Sequence, residues 1–302
     1  MSEAGQHNVT HETRKGGSRS APAAGPSPLA ALVRRHDRDR YQTALFAPAE
    51  RREALFALYA FNYEIARIRE IVTQPMLGQI RLQWWRESVD AAYAGGPARP
   101  HEIAGPLAAV IGGHRLTRAH FDRMIDTRER DLADEPPATL AALEDYAEGT
   151  AAALLYLALE VLGVTEPGAR ALAREVGIAY ALAGLLRAMP FHARAGRCYI
   201  PADIAARTGL DPEDYTSRRD TRALRAAAAA IAEAAAGHLR AAKRNRREVP
   251  RLARAAMLSG IVAARFLTRL RRADYNPFAP NLATPDPLQS WRLFAAALRG
   301  GF

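Results

Sequence analysis

From Leu29 onward, apolar residues recur at the spacing of amphipathic helices almost without interruption. In the segment 51–72 they fall at steps of three and four, which places them on one face of a helix. The apolar positions of this stripe are Leu55, Leu58, Tyr59, Ile65, Ile68 and Ile71. Pro75 predicts the end of that helix, because proline cannot donate a helical hydrogen bond. The following helix is expected to end at Gly95 and Gly96, which suit a helix C-terminus.

Helical periodicity continues to the C-terminal end, and no segment alternates convincingly as a strand would. Further helices are predicted over 106–114, 118–134, 139–163, 167–189, 221–247, 250–272 and 287–300. The helix over 167–189 is expected to stop at Pro190. No Pro/Gly/Ser-rich linker divides the body of the chain. The sequence therefore predicts one all-α domain of about eight to ten helices over residues 29–302.

Residues 1–28 are rich in Gly, Ser, Pro and Ala and have almost no large apolar side chains. Such a segment cannot bury enough apolar surface to offset the entropy of folding, which predicts a disordered N-terminal tail. A transit peptide is the alternative, although Glu3, Glu12 and the lack of an amphipathic face argue against it.

The composition favours an anionic partner over a cationic one. Lys and Arg number 42 against 32 Asp and Glu, for a net charge of +10, and only Lys15 and Lys243 are lysines. Phospholipid head groups, an acidic protein or nucleic acid would fit, and biased codon usage would explain the arginines equally well. A single cysteine, Cys198, excludes an intrachain disulfide and fits a reducing compartment. No zinc motif is found, and the longest apolar run, 151–159, is too short to span a bilayer.

Two stretches carry a recognisable pattern. In the first, Tyr59, Ala60 and Phe61 lead into the end of the predicted helix, and the second, residues 177–201, closes with the letters GRCYIP. Together they resemble the squalene and phytoene synthase family, in which YAF precedes a DDxxD box and LxxILRDxxxD precedes GRxYLP. The agreement in motif position and helix order extends over residues 30–275. The resemblance implies an all-α isoprenoid synthase fold, a single helical bundle with a central cavity.

The resemblance also implies a chemistry, in which aspartates on two facing helices hold Mg²⁺ ions against the diphosphate of an allylic substrate as it ionises. The three acidic positions of the first motif fall on Ala66, Arg67 and Glu70 in this chain. The two acidic positions of the second motif fall on Ala188 and His192. Alanine and arginine offer no oxygen ligand, so we expect the Mg²⁺-dependent reaction to be lost. No metal, no other cofactor and no catalytic residue are predicted.

A further string, YQTALFAPAERREALFALYAFNYEIARIR followed by QWWRE, resembles one branch of this family. Members of that branch, in mitochondria and related bacteria, assist the assembly of respiratory complex I and are thought to have lost the catalytic acids. The resemblance implies a membrane-peripheral assembly or lipid-handling factor. Its expected partners are complex I subunits or assembly proteins, an anionic lipid or isoprenoid, and the membrane surface. The expected location is cytoplasmic on the inner membrane, or on the matrix side in a mitochondrion. Nucleic-acid binding is not expected, because the basic helices lack aromatic stacking platforms.

Ligand binding is expected at side chains of the two motifs and of the helix between them. The candidates for binding an anion or another ligand are Tyr59, Arg67, Arg69, Glu70, Arg81, Trp84, Arg187, His192, Arg197 and Tyr199. Arg187 and Arg197 would hold an anionic head group without metal, since guanidinium groups match phosphate oxygens. Alternatively, Arg187 stabilises the C-terminus of its helix and Arg197 forms a salt bridge.

The acidic residues near these motifs have two interpretations. Glu64, Arg67 and Glu70 are spaced as an ion-pair row along one helix. Asp126 and Glu129 share a helix face and, together with Glu70, would form the altered metal site of an active head-to-head prenyl synthase. The arginines around Asp126 and Glu129 favour a solvated charged face instead.

Aromatic residues in two helices raise a similar choice. Trp84 and Trp85 are adjacent, so only one of them can face the core. Trp291, Phe294 and Leu298 share one face of the last predicted helix, which would suit a membrane surface. We expect that face to pack onto the domain, as short terminal helices usually do.

Overall fold

The structure is a computed structural model that describes residues 25–97, 99–244 and 250–299. The expected tail lies mostly outside these ranges, so its disorder stays a prediction. The helices are α1 (Pro28–His36), α2 (Arg38–Ala44), α3 (Ala49–Ala66), α4 (Ile68–Ile71), α5 (Pro75–Tyr93), α6 (Ala104–His114), α7 (Arg118–Glu129), α8 (Leu140–Ala147), α9 (Ala153–Val161), α10 (Pro167–Arg194), α11 (Ala202–Thr208), α12 (Pro212–Thr216), α13 (Arg222–Arg244), α14 (Arg254–Met257), α15 (Ser259–Arg272), α16 (Pro280–Ala283) and α17 (Gln289–Leu298). A π-helical turn, Glu148–Ala152, joins α8 to α9.

The bundle is arranged around α10, which packs along α13 and α15 and against α9. Its buried apolar residues include Leu172, Val176, Leu182 and Leu186. No strand occurs in the three described ranges, so the expected all-α class is confirmed. Several helices, such as α4 and α16, are single turns, and segments of that length are too short to show apolar periodicity. Together with the division of the helix predicted over 139–163 into α8 and α9, they explain most of the excess over the predicted number.

By length and composition alone, α10 is apolar enough to cross a membrane. More than half of its apolar window is buried inside the protein, however. Most of the apolar surface of this window is thus covered by neighbouring helices. We therefore describe α10 as the core helix of the bundle.

The helix predicted over 51–72 is two helices in the structure. α3 ends at Ala66, Arg67 interrupts the helix, and α4 follows for one turn. The buried stripe therefore ends at Ile68, and Ile71 is exposed. Pro75 begins α5 instead of ending the preceding helix, because the first position of a helix needs no N–H donor.

The end predicted for α10 at Pro190 is also wrong, since the helix continues to Arg194. Proline lacks the N–H that would bond the carbonyl of Leu186, at a cost of roughly 3 kcal/mol. Met189 and Ala193 are buried on either side of Pro190, and this burial holds the last turn in helical conformation.

The last helix, α17, docks beside α15 through Leu293 and Ala296. The expected packing of Trp291, Phe294 and Leu298 onto the domain is therefore wrong, and all three are exposed. Apolar side chains occupy both faces of α17, so their spacing alone does not determine which face is buried.

The close approach of α10 to the π-helical turn depends on Gly177. A Cβ atom at this position would lie 2.5 Å from the Cα of Ala152. That contact is with backbone, so it cannot be relieved by a side-chain rotation. Thr150 and Ala151 of the turn also line a large cavity between α2, α10 and α15, so Gly177 sets the position of one wall of that cavity.

We predict that Gly177→Ala lowers the free energy of unfolding by about 1–3 kcal/mol, because the added methyl group forces α10 and the π-helical turn apart. Gly184→Ala on the same helix is the matched control, since nothing lies within 4 Å of its Cβ position. There the loss of backbone freedom in the unfolded chain should stabilise the protein by about 0.5–1 kcal/mol. Denaturant unfolding measures both values, and equal effects of the two substitutions would contradict the packing described.

Candidate functional site

A cavity of about 1110 Å³ lies between α2, α10, α15 and the segment that leads into α17. Its apolar wall includes Leu185, Val262, Phe266 and Leu282. A volume of this size exceeds the roughly 300–1,000 Å³ of ordinary ligand pockets. The cavity can therefore enclose a ligand with a long apolar portion.

Two of the positions at which the family carries acidic side chains line this cavity with methyl groups. Ala66 at the end of α3 and Ala188 on α10 both line it, and so does Gly184. Arg67 and Glu70, the other positions of the first motif, are absent from the lining. Neither motif contributes a carboxylate to the cavity wall.

The charge of the wall is strongly positive, with eight arginines against three aspartates. The arginines are Arg38, Arg40, Arg128, Arg187, Arg194, Arg218, Arg265 and Arg269, and the aspartates are Asp37, Asp39 and Asp286. Such a wall favours an anionic ligand and opposes the approach of a divalent cation.

Each of the three aspartates forms a salt bridge with an arginine. Arg40 Nη1 lies 2.6 Å from Asp37 Oδ2, and the Arg40 guanidinium also lies over the ring of Tyr180 at 4.9 Å. Arg187 Nη1 donates to Asp39 Oδ2 at 2.7 Å. Burial alone would raise the pKa of Asp39, but the charge of Arg187 and its hydrogen-bond donors outweigh this and hold the pKa below its ordinary value,.

Asp286 is held in the same way at the other side of the cavity. Arg292 Nη1 lies 2.5 Å from Asp286 Oδ1, and Arg265 Nε lies 3.3 Å from Oδ2. Nearby, Arg269 donates to the carbonyl oxygens of Asn281 and Thr284. These contacts fix the segment before α17 against α15.

A buried polar network lies behind Arg128. Arg128 Nη1 donates to Asp131 Oδ2 at 3.0 Å and to the hydroxyl of Tyr146 at 2.5 Å. The Tyr199 hydroxyl donates to the second oxygen, Asp131 Oδ1, at 2.9 Å. Arg128 Nε is buried without a hydrogen-bond partner in the described part of the chain. Arg128 therefore retains an unused donor next to the cavity.

Of the ten sequence candidates, only Arg187 lines the large cavity. Tyr199 reaches it indirectly through Asp131 and Arg128. The rings of His192 and Tyr199 are tilted against each other with centroids 4.8 Å apart and line a separate pocket of about 10 Å³, which leaves room for at most about one water molecule. Arg197 lies over the ring of Phe191 at 5.9 Å and not in the large cavity.

The candidates of the first motif and of α5 lie elsewhere. Arg67 pairs with Glu64 at 2.9 Å, which is one half of the expected ion-pair row, but in the described ranges Glu70 forms no salt bridge with Arg67; Arg69 pairs with Asp134 at 2.8 Å. Tyr59 is buried in the core, whereas Glu70 and Arg81 are exposed. Trp84 is half-buried beside the buried Trp85, so one tryptophan of the pair faces the core. These side chains do not reach the cavity because only the face of α3 that carries Ala66 is directed toward the cavity.

The altered metal site of the alternative interpretation does not assemble in the structure. Arg86 forms salt bridges with both Asp126, at 2.8 Å, and Glu129, at 2.7 Å. These two carboxylates and Glu70 lie outside the cavity lining. Within the described ranges, no cluster of three or more His, Cys, Asp or Glu side chains could hold a metal ion.

Sequence reasoning missed the first part of the cavity wall, contributed by residues 36–42. A signal was present in the alternating charges of Asp37, Arg38, Asp39 and Arg40. Arg40 contacts Tyr180 and Asp39 pairs with Arg187, both more than a hundred residues away, so these contacts were not visible along the chain.

Comparison with known proteins identifies the class of this fold and site. The sequence model of the squalene/phytoene synthase family matches residues 33–296, and the chain belongs to that family. Within it, the chain is similar to NADH dehydrogenase (ubiquinone) complex I assembly factor 6 of Homo sapiens, with 34% identity over 269 residues, 86% of this chain and 80% of that protein. It is also similar to presqualene diphosphate synthase of Sinorhizobium fredii, with 31% identity over 63% of this chain and 68% of the enzyme.

Among solved structures, the chain is similar to squalene synthase HpnC from Alicyclobacillus acidocaldarius. The TM-score is 0.73 with 25% identity, covering 83% of this chain and 94% of that one. The expected isoprenoid synthase fold is therefore confirmed.

Burial, the largest cause, and the charge of Arg197 lower the pKa of His192 from 6.5 to about 4. As the pH falls, His192 takes up a proton near pH 6.5 in the unfolded chain but only near pH 4 in the folded protein. Stability is therefore lost as the pH falls through this window. We predict that between pH 7 and pH 5 the free energy of unfolding falls by about 2 kcal/mol less in the His192→Gln variant than in the wild type. Denaturant unfolding at both pH values tests this, and identical pH dependence in the two proteins would contradict it.

Proposed function

We propose that this protein is a non-catalytic member of its family that binds an anionic isoprenoid or lipid without metal. We further propose that it acts at the membrane surface as an assembly factor for respiratory complex I. The observation that carries the proposal is the cavity wall, in which alanines stand at two of the acidic positions of the family and arginines supply the charge.

The absence of metal chemistry is supported by the state of the three cavity carboxylates. Mg²⁺ needs several oxygen ligands in near-octahedral geometry. Asp37, Asp39 and Asp286 each already accept hydrogen bonds from arginine. A metal ion would have to break these pairs and approach the freed guanidinium groups, which repel it.

An amphiphilic ligand is favoured because charged and apolar walls face the same cavity. Guanidinium groups bind phosphate oxygens through paired hydrogen bonds. Leu185, Val262 and Phe266 offer apolar contact for a chain attached to that phosphate. An allylic diphosphate and a phospholipid share this chemistry.

The role in assembly is supported by the similarity to complex I assembly factor 6 over most of both chains. The proposed partners are complex I subunits or their assembly proteins. The proposed location is the cytoplasmic face of the inner membrane, or its matrix face in a mitochondrion. The competing function is head-to-head prenyl transfer, which the similarity to presqualene diphosphate synthase would favour.

We expect farnesyl diphosphate to bind the purified protein equally well with Mg²⁺ and with a chelator, and to release no pyrophosphate in either case. Arg187→Gln should weaken binding roughly tenfold to a hundredfold, because a hydrogen bond to a charged group contributes about 1.5–3 kcal/mol. Arg81→Gln is the control, since Arg81 is exposed and outside the cavity. Calorimetry and pyrophosphate assay measure these outcomes. Turnover dependent on Mg²⁺ would contradict the proposal and support the synthase.

Deleting the gene from its source organism should lower the amount of assembled complex I in the membrane. Blue native electrophoresis with an NADH activity stain measures this, and complex II on the same gel is the control. The wild-type gene should restore assembly, and Arg187→Gln should restore it poorly. Unchanged complex I in the deletion strain would contradict the assembly role.

A further inference from the structure

The exposed face of α17 is a continuous apolar stripe. Leu288, Trp291, Phe294 and Leu298 are 51%, 70%, 49% and 70% exposed. Their spacing of three and four residues places them on one side of the helix. Leu293 and Ala296, which dock α17 onto the bundle, lie on the opposite side. Single exposed apolar residues need no explanation, but a grouped set marks an interaction surface.

The helix is fixed to the mouth of the cavity. Gln289 Nε2 donates to Asp39 Oδ1 at 2.7 Å and to Gln42 Oε1 at 2.8 Å, and Gln42 donates to Ser290 Oγ at 2.9 Å. Pro287, Gln289 and Ser290 also line the cavity. Whatever covers the stripe therefore lies next to the cavity.

Charge around the stripe indicates an anionic partner. No acidic residue occurs in 287–302, and the exposed Arg299 lies beside the stripe, whereas Arg292 is paired with Asp286. The adjacent helix α15 contains four arginines and no acid, and Arg271 and Arg272 at its end are exposed. An amphipathic helix with tryptophan and phenylalanine on one face and arginine beside it suits the interface of an anionic bilayer.

We propose that the α17 stripe docks the protein onto the surface of an anionic bilayer. This rests on the proposed function and deepens it, because it names the surface and the lipid class. Trp291, Phe294 and Leu298 enter the boundary between head groups and acyl chains. The cavity mouth then faces the head-group layer, so an amphiphilic ligand passes between bilayer and cavity without crossing bulk water.

The rest of the molecule offers a matched control surface. Ile71, Met76, Leu77 and Ile80 are also exposed, but the segment 71–80 contains no charged residue. The exposed residues that bound this segment, Glu70 and Arg81, have opposite charges, so we expect little attraction to anionic lipid,. A pair of substitutions there removes similar apolar area from a different face.

The test measures co-sedimentation with vesicles of phosphatidylcholine alone and of equal parts phosphatidylcholine and phosphatidylglycerol. We expect wild-type protein to bind the anionic vesicles more tightly, with a blue shift of tryptophan emission as Trp291 leaves water. Trp291→Ser with Phe294→Ser should weaken binding about tenfold or more. The control pair, Met76→Ser with Ile80→Ser, should bind like wild type. Leu298→Ser alone, at the exposed end of α17, should give a smaller loss in the same direction.

Equal vesicle binding by the α17 variant and wild type would overturn the proposal, as would equal binding to neutral and anionic vesicles. Self-association that is lost in the α17 variant, without any vesicle binding, would assign the stripe to a second copy and also overturn it. Farnesyl diphosphate affinity, measured without vesicles, should be unchanged by the α17 substitutions. Vesicle binding with no farnesyl diphosphate binding would therefore reject the proposed ligand alone.

Discussion

The ion pair between Arg187 and Asp39 is the contact on which the rest of the site depends. It joins α10 to α2 at 2.7 Å, and Asp39 also accepts a hydrogen bond from Gln289 at the start of α17. Three helices that are distant in sequence thus meet at one carboxylate. The same pairing occupies the oxygens that a metal would need and keeps a guanidinium in the cavity wall, so it sets both the shape and the charge of the site.

The fold itself does not determine what this cavity does. The backbone matches that of squalene synthase HpnC with a TM-score of 0.73, yet Ala66 and Ala188 stand where the family carries acids. Function depends on such site residues rather than on the fold that holds them. In our proposal, arginine takes over the neutralisation of phosphate charge that metal ions provide in the enzymes. Arginine can bind a diphosphate tightly, but the chain then lacks the paired divalent ions that assist departure of a leaving group.

Much of the fold could be predicted from the sequence because helical periodicity is strong and the two motifs are specific. The lost acids at Ala66 and Ala188 were also readable, since they follow from aligning motifs along the chain. The cavity arginines were not, because Arg40 becomes a wall residue through its contact with Tyr180, far away in sequence, and Arg128 through a network that includes the distant Tyr199 by way of Asp131. Pro190 stays helical because tertiary burial outweighs a local preference. For α17, both faces are apolar, and only the packing against α15 decides which one is buried.

We infer that the cavity holds an anion through arginine and excludes a divalent ion. X-ray diffraction from crystals grown with Mn²⁺ and inorganic diphosphate tests this inference, because manganese scatters anomalously and its position is unambiguous. We expect diphosphate density beside Arg187 and Arg40 with no anomalous peak in the cavity. A manganese peak coordinated there by side-chain oxygens would contradict the inference.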